Sequence, residues 1–497
     1  MKSACLLVFA AAVWGQTGVF DGDTDVGVTG NPGGAQFTAG RYRVTGGGAN
    51  IWGTADAFHF VWKRISGDLS IEADLVLGNE SPNAHRKAGL MIRQSLDPGA
   101  AYADVSVHGD GLTSLQYRQA AGGVTAEARS TLKAPRRIRI ERRGNQFTMY
   151  AGNPGEPLSP AGPVAIQMRD PVYVGLAVCS HEAAAIQGAN FSNVKIESLP
   201  RQITRSKISI YSLKDKSVQV IHTEDRIVEA PNWSPDSKYL LVNSGGNLWR
   251  LSPSGGELQK VDLGTLTGCN NDHGISPDGK RYAISARGGA TGSRVYVSAA
   301  DGSGVRLITE MSPSYFHGFS PDGKWLAYTA QRNGEFDLYR IPAAGGAEER
   351  LTTAKGLDDG PDYSRDGKWI YFNSERTGNF DIWRVPSNGG GLDDKLAQQV
   401  TNDEWEDWFP HPSPDGKWMV FVAFAKGTKG HPANRKVILR MMKMPGDKLK
   451  PVKIETIVEL FGGQGTINVN SWAPDSKRFA FVSYELVTGG SGDRSSN

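Results

Sequence analysis

Cysteine is almost missing from this chain: there are three in 497 residues. Cys5 lies inside the leading apolar run, which places it wrongly for a lipoprotein anchor. Cys179 and Cys269 fall in different parts of the chain, so no disulfide framework is expected. A charge excess is missing too. Lys and Arg total 55 against 52 Asp and Glu, which gives no reason to expect nucleic acid as a partner. After the first 16 residues no apolar run approaches the roughly 20 that a membrane helix needs. No P-loop, Ser nucleophile motif or CxxC pair appears, so three common routes to catalysis are excluded.

What is present begins with MKSACLLVFAAAVWGQ. One Lys, an apolar stretch from Ala4 to Val13 and a small residue at Gly15 are read as a signal peptide over residues 1–16. The expected location is periplasmic or secreted. A chain of 497 residues exceeds one ordinary core, so two domains are expected.

Glycine is abundant, at 61 residues, and much of it punctuates a repeat. A Ser-Pro-Asp-Gly-type turn recurs with its aspartate at Asp236, Asp278, Asp322, Asp366, Asp415 and Asp475. The spacings are 42, 44, 44, 49 and 60 residues. Pro presets φ at the second turn position, Asp bonds back to the backbone, and Gly allows the exit. Each unit reads as four strands, for example KWLAYTA and EFDLYRIP on either side of a polar loop. A strand-rich period of this length predicts a propeller. The last unit lacks its second half, and SKISIYSL with SVQVIHT at residues 206–223 supplies it. Six blades are expected, one of them built from both ends of the repeat region.

The repeated turns and this closure resemble the TolB-type propeller over residues 203–487. The resemblance implies architecture more than activity. TolB is a periplasmic component of an envelope-maintenance system and binds protein partners through its propeller. Residues 17–198 carry glycine-bounded alternating pieces such as AGLMIR, RIERRGNQFTMY and YVGLAVCSH, predicting an antiparallel β-sandwich. They resemble concanavalin-like jelly-roll domains, which are often appended to secreted carbohydrate-active proteins, and they differ from TolB's α/β domain. The expected fold class is therefore all-β. A linker is placed at 199–205, the propeller at 206–487 and a flexible tail at 488–497.

In the N-terminal domain, Glu72 and Asp74 share a strand face and read as a solvated pair. Trp52, His59 and Trp62 read either as core or as a sugar platform.

In the propeller, four antiparallel strands per blade put the entry segments on one rim, with the loops between second and third strands. That rim is rich in polar side chains. His273, His317 and His411 are the candidate catalytic residues and the candidate ligands of a divalent metal ion. Asp272, Tyr315, Asp359, Asp362, Trp408, His431, Arg435, Asn468 and Asn470 are the candidate substrate-binding residues. Oligogalacturonate lyases are similar in having a TolB-type propeller with a histidine-bound metal, but this chain has no HxH pair. Arg332, Arg376 or Arg435 would hold a uronate carboxylate. Two functions are expected: binding, with or without lyase or hydrolase cleavage, of a glycan; or a non-catalytic scaffold for envelope proteins.

Overall fold

The computed structural model describes residues 17–288 and 292–489. The signal-peptide reading of residues 1–16 and all of the expected tail beyond Gly489 lie outside the described residues. The chain divides into two compact units, one holding residues up to Gln202 and from Thr488 onward, the other spanning Ile203–Val487. The strand Gln202–Ser212 starts inside the segment read as a linker. The fold is all-β. Among the described residues the helical content is one 3-10 turn, Leu392–Asp394. No helix there is long and apolar enough to cross a membrane.

The first unit contains two seven-stranded antiparallel sheets. Alternate residues of both sheets, among them Leu69, Ile71, Leu90, Ile92, Val105, Ile138, Ile140 and Val174, are buried in one common core. The outward face of the RIRIERR strand is an ion ladder. Arg137 sits opposite Asp74, and Arg139 opposite Glu72, with Arg137 Nε donating to Asp74 at 2.6 Å. Trp52, His59 and Trp62 do not make a platform. His59 is buried with its ring nitrogens on Asp25 and Asp23, at 2.8 and 3.2 Å. Trp62 packs edge-on against Tyr173 instead.

The second unit is a six-bladed propeller. Five blades are four-stranded sheets and the sixth is the three-stranded sheet formed by Ser217–Glu224, Gln202–Ser212 and Arg478–Thr488. Trp472 bridges Phe479 at the inner edge of that sheet. Strands from the two ends of the unit thus pair, as expected, and the ring has no free seam. The turn chemistry is uniform. Ser Oγ donates to Asp Oδ1 at 2.5–2.7 Å in five turns. The same oxygen accepts the amide of the lysine two residues on, at 3.1 Å in each.

The second strands do not alternate apolar with polar. Their two faces are buried against two different neighbours. Tyr282 and Ile284 pack toward Leu241 and Leu248 of the preceding blade, while Ala283 packs toward Phe316 and Tyr328 of the next. Tyr371 and Phe372 divide in the same way. Blade-on-blade stacking therefore makes both faces core, and the strands read as near-continuous apolar runs.

Candidate functional site

The inner strands of the first five blades are Glu229–Trp233, Cys269–Ile275, Ser314–Phe319, Asp358–Tyr363 and Glu406–Pro412. Each breaks register with its neighbour once: at Glu229/Asn232, Cys269/His273, Phe316/Gly318, Asp359/Asp362 and Trp408/His411. Ala230, Gly360 and Phe409 take left-handed backbone at these breaks, with φ near 55–67°. At residue 360 only glycine fits. A Cβ there would come within 2.8 Å of Asn373 Oδ1 and 2.9 Å of the Phe409 ring.

These strands run between two cavities. The first, about 470 Å³, is lined by Glu229, Asn270, Asn271, Asp272, Tyr315, His317, Thr329, Phe336, Leu357, Asp359, Phe409, His431, Gln464 and Asn468. The second, about 440 Å³, is lined by residues further along the same strands and by the turn prolines Pro235, Pro277, Pro321, Pro414 and Pro474. His317 borders both.

Asp359 organises the first cavity. His317 Nε2 lies 3.2 Å from Asp359 Oδ1, and His431 Nε2 lies 3.6 Å from Oδ2. The Gly360 amide donates to Oδ1 at 2.8 Å. Burial opposes ionisation of Asp359, but the hydrogen bond and charge of His317, with His431, prevail and hold it down to about 2. Burial likewise opposes charge on His317, and Asp359 and Asp272 overcome it, so its pKa is raised. Both shifts favour the ionised forms of the pair. His317 also stacks on Phe409, with ring centres 5.8 Å apart, and His431 packs edge-on to Trp408 and Phe409.

Asp272 faces this pair. Its oxygens accept Asn468 Nδ2 at 2.5 Å and Asn270 Nδ2 at 2.7 Å. Burial pushes its pKa up, with His317 pulling down and Asp359 pushing up further. Glu229 stands beside it, and no described residue donates a hydrogen bond to its carboxylate. Burial and the charge of Asp272 push Glu229 up to about 7.

Several expected site residues lie elsewhere. His273 is fully buried, with Nε2 3.3 Å from Leu241 O, and borders the second cavity with Asp362 and Asn470. Burial drives its pKa down to about 4. His411 lines neither cavity. Its nitrogens lie 3.1 Å from Asp362 Oδ2 and 2.7 Å from Ile467 O, which ties three blades together. Trp408 is wholly buried in the core between blades. Arg435 is exposed and lines neither cavity. Neighbouring side chains of an inner strand point to opposite sides, so Asp272 borders one cavity and His273 the other, while Trp408 packs between blades and Arg435 lies outside the channel lining.

The expected trio His273, His317 and His411 is therefore dispersed. Among the described residues no group of three or more His, Cys, Asp or Glu is arranged to hold a metal ion. The arginines expected to hold a uronate are engaged. Arg332 forms a two-pronged pair with Glu348, at 2.9 Å on each side. Arg376 binds Asp358 at 2.8 Å and Asp394 at 3.3 Å. Asp272, Tyr315, Asp359, His317, His431 and Asn468 do converge. Sequence reasoning gave no weight to Phe336, Phe409 and Gln464 as site residues. Glu229 stands at the start of the first blade's inner strand and lines the cavity.

Fold and site together define a closed six-bladed β-propeller with an acidic, amide-rich pocket at one mouth. The PD40 family profile, described as the TolB beta propeller domain, matches residues 312–444. An uncharacterized protein of Agrobacterium fabrum is 45% identical over 293 residues, covering 59% of this chain and 97% of that protein. A solved structure from Agrobacterium tumefaciens, provisionally named TolB, is 46% identical, covers 57% of this chain and 99% of its own, and superposes with a TM-score of 0.53. TolB from Acinetobacter baumannii is 20% identical over 50% of this chain and 65% of its own, with a TM-score of 0.38. The chain belongs to the TolB-like β-propeller family.

Proposed function

We propose that this TolB-like protein is exported and binds an oligosaccharide in the entry mouth of its propeller. The observation that carries the reading is the composition of the 470 Å³ cavity. Amides and carboxylates of fixed orientation stand beside the faces of Tyr315, Phe336 and Phe409, which is how proteins hold sugars, with hydroxyls bonded and C–H faces stacked. The two-sheet unit is read with it as a concanavalin-like jelly roll that positions a polysaccharide, and the leading apolar run as the export signal. No free cation lines the pocket among the described residues, which weighs against a uronate ligand and against the lyase chemistry expected for one. The test is calorimetric titration with neutral, acidic and amino oligosaccharides. Tyr315 is half-buried, so Tyr315→Ala keeps the fold and weakens binding about tenfold, the order of one lost aromatic contact with its hydroxyl. No saccharide bound at millimolar concentration would sink the reading.

The opposite mouth favours a second reading, a scaffold for an envelope protein. Its rim combines the turn prolines with Trp233, Phe319, Tyr363 and Trp472, and Arg365 stands exposed among them. A ring of Pro and aromatic side chains suits an extended peptide. Recovery of one specific envelope protein by the wild type, lost with Arg365→Glu, is the result that would support it.

A further inference from the structure

We infer that the ligand of the entry pocket carries a protonated amine, and that its class is an oligosaccharide of amino sugars. The inference rests on the saccharide reading above and narrows it.

The pocket holds unpaired acceptors beside two unpaired ring nitrogens, His317 Nδ1 and His431 Nδ1. Glu229 receives no hydrogen bond from any described residue. Asn468 is 1% exposed, lines the cavity, and its Oδ1 has no partner. Its amide nitrogen is already committed to Asp272. A buried acceptor left unpaired costs about 1–3 kcal/mol, so Asn468 Oδ1 calls for a donor from outside. The charges are equally unbalanced. Three carboxylates line the cavity, and both imidazoles are directed at the same one, Asp359. Asp272 accepts hydrogen bonds from neutral amides and shares the charge of His317 with Asp359, and Glu229 has no cation beside it among the described residues. A ligand carboxylate or phosphate would face these two groups without a counter-charge. An ammonium would donate to Glu229 and to Asn468 Oδ1 and neutralise charge beside Asp272. Tyr315 and Phe409 supply faces for the ring that carries the amine. A water-filled acidic recess with no ligand would also give Asn468 Oδ1 a donor, so titration is what separates the two readings.

The experiment is calorimetric titration of the full chain at pH 7, where Glu229 is about half ionised, with three trimers: glucosamine, N-acetylglucosamine and galacturonate. Spermidine and calcium chloride are separate arms. The expected result is glucosamine trimer binding at least tenfold tighter than the N-acetylated trimer, with galacturonate not bound. Glu229→Gln, checked for an unchanged melting temperature, should shrink that ratio to threefold or less. Equal or tighter binding of the N-acetylated trimer overturns the amine while leaving the saccharide reading intact. No binding by any trimer overturns both. A response to spermidine or calcium alone also overturns the amino-sugar class, the first leaving an amine ligand and the second a cation site.

Discussion

The two mouths of the propeller are built from the same inner strands and look nothing alike. One is lined by Glu, Asp, Asn and His that differ from blade to blade. The other is lined by a proline from nearly every turn. The difference follows from what each segment must do for the backbone. The turns are over-determined: Pro sets φ, Ser and Asp close the hydrogen-bonded ring, and Gly279, Gly323, Gly367 and Gly416 exit near φ 70°. They therefore repeat and carry architecture. The entry segments face no such demand, so their side chains are free to specialise. The proposed saccharide site belongs to the mouth whose residues do not repeat.

The sharpest way to break this comparison is to alter a residue that sequence reasoning assigned to the site and the fold assigns to the core. Trp408 is such a residue, with no exposed surface and a ring centred 4.0 Å from that of Phe380. Trp408→Ala should cost about 4 kcal/mol of stability, read by chemical denaturation. A variant that folds normally yet no longer binds ligand would return Trp408 to the pocket and undo the assignment.

What could be read from the sequence was local. The Ser-Pro-Asp-Gly turns need only neighbouring residues, so six aspartates announced six blades, and the missing half-blade pointed to strand exchange between the ends. Depth along the channel was not legible. It depends on one register break per inner strand, centred on residues such as Ala230 and Phe409 whose left-handed backbone no composition rule signals. Equivalent places before the turn motif grouped His273 with His317, and strict alternation turns His411, one residue closer to its turn, to the other side of its strand. The breaks send His273 toward the turn-side cavity and His411 between blades, leaving His317 as the only one of the three in the entry pocket. Of the entry-rim residues, Asp272, Tyr315, Asp359, His431 and Asn468 line one cavity.

A smaller effect tests the ion pair that closes the floor of the entry pocket. Asp359 is held down to about 2, below the ordinary carboxylate range, so its contribution is present above about 4 and fades as pH falls toward 2. His317 is raised above 6.5, so its contribution is present below 6.5 and fades as pH rises through its folded value. The pair therefore stabilises most between about pH 4 and 6.5. Asp359→Asn should flatten that optimum in a series of melting curves and lower stability by about 2 kcal/mol at pH 5. An unchanged pH profile would show that the two side chains are not paired in solution.

The smallest effect is the most informative about separation of the mouths. Arg365 stands at the turn-side rim and Asp359 at the entry side, six positions apart along one chain segment. At about 20 Å in water, two unit charges interact by about 0.2 kcal/mol, and physiological salt screens most of that. Arg365→Glu should therefore leave the affinity of the entry pocket for glucosamine trimer within twofold, and stability within about 0.5 kcal/mol, while abolishing any peptide binding at the other mouth. A change of tenfold in the trimer affinity would mean that the cavities communicate through His317, the one histidine that borders both, and the comparison would become one of a single channel with two ends.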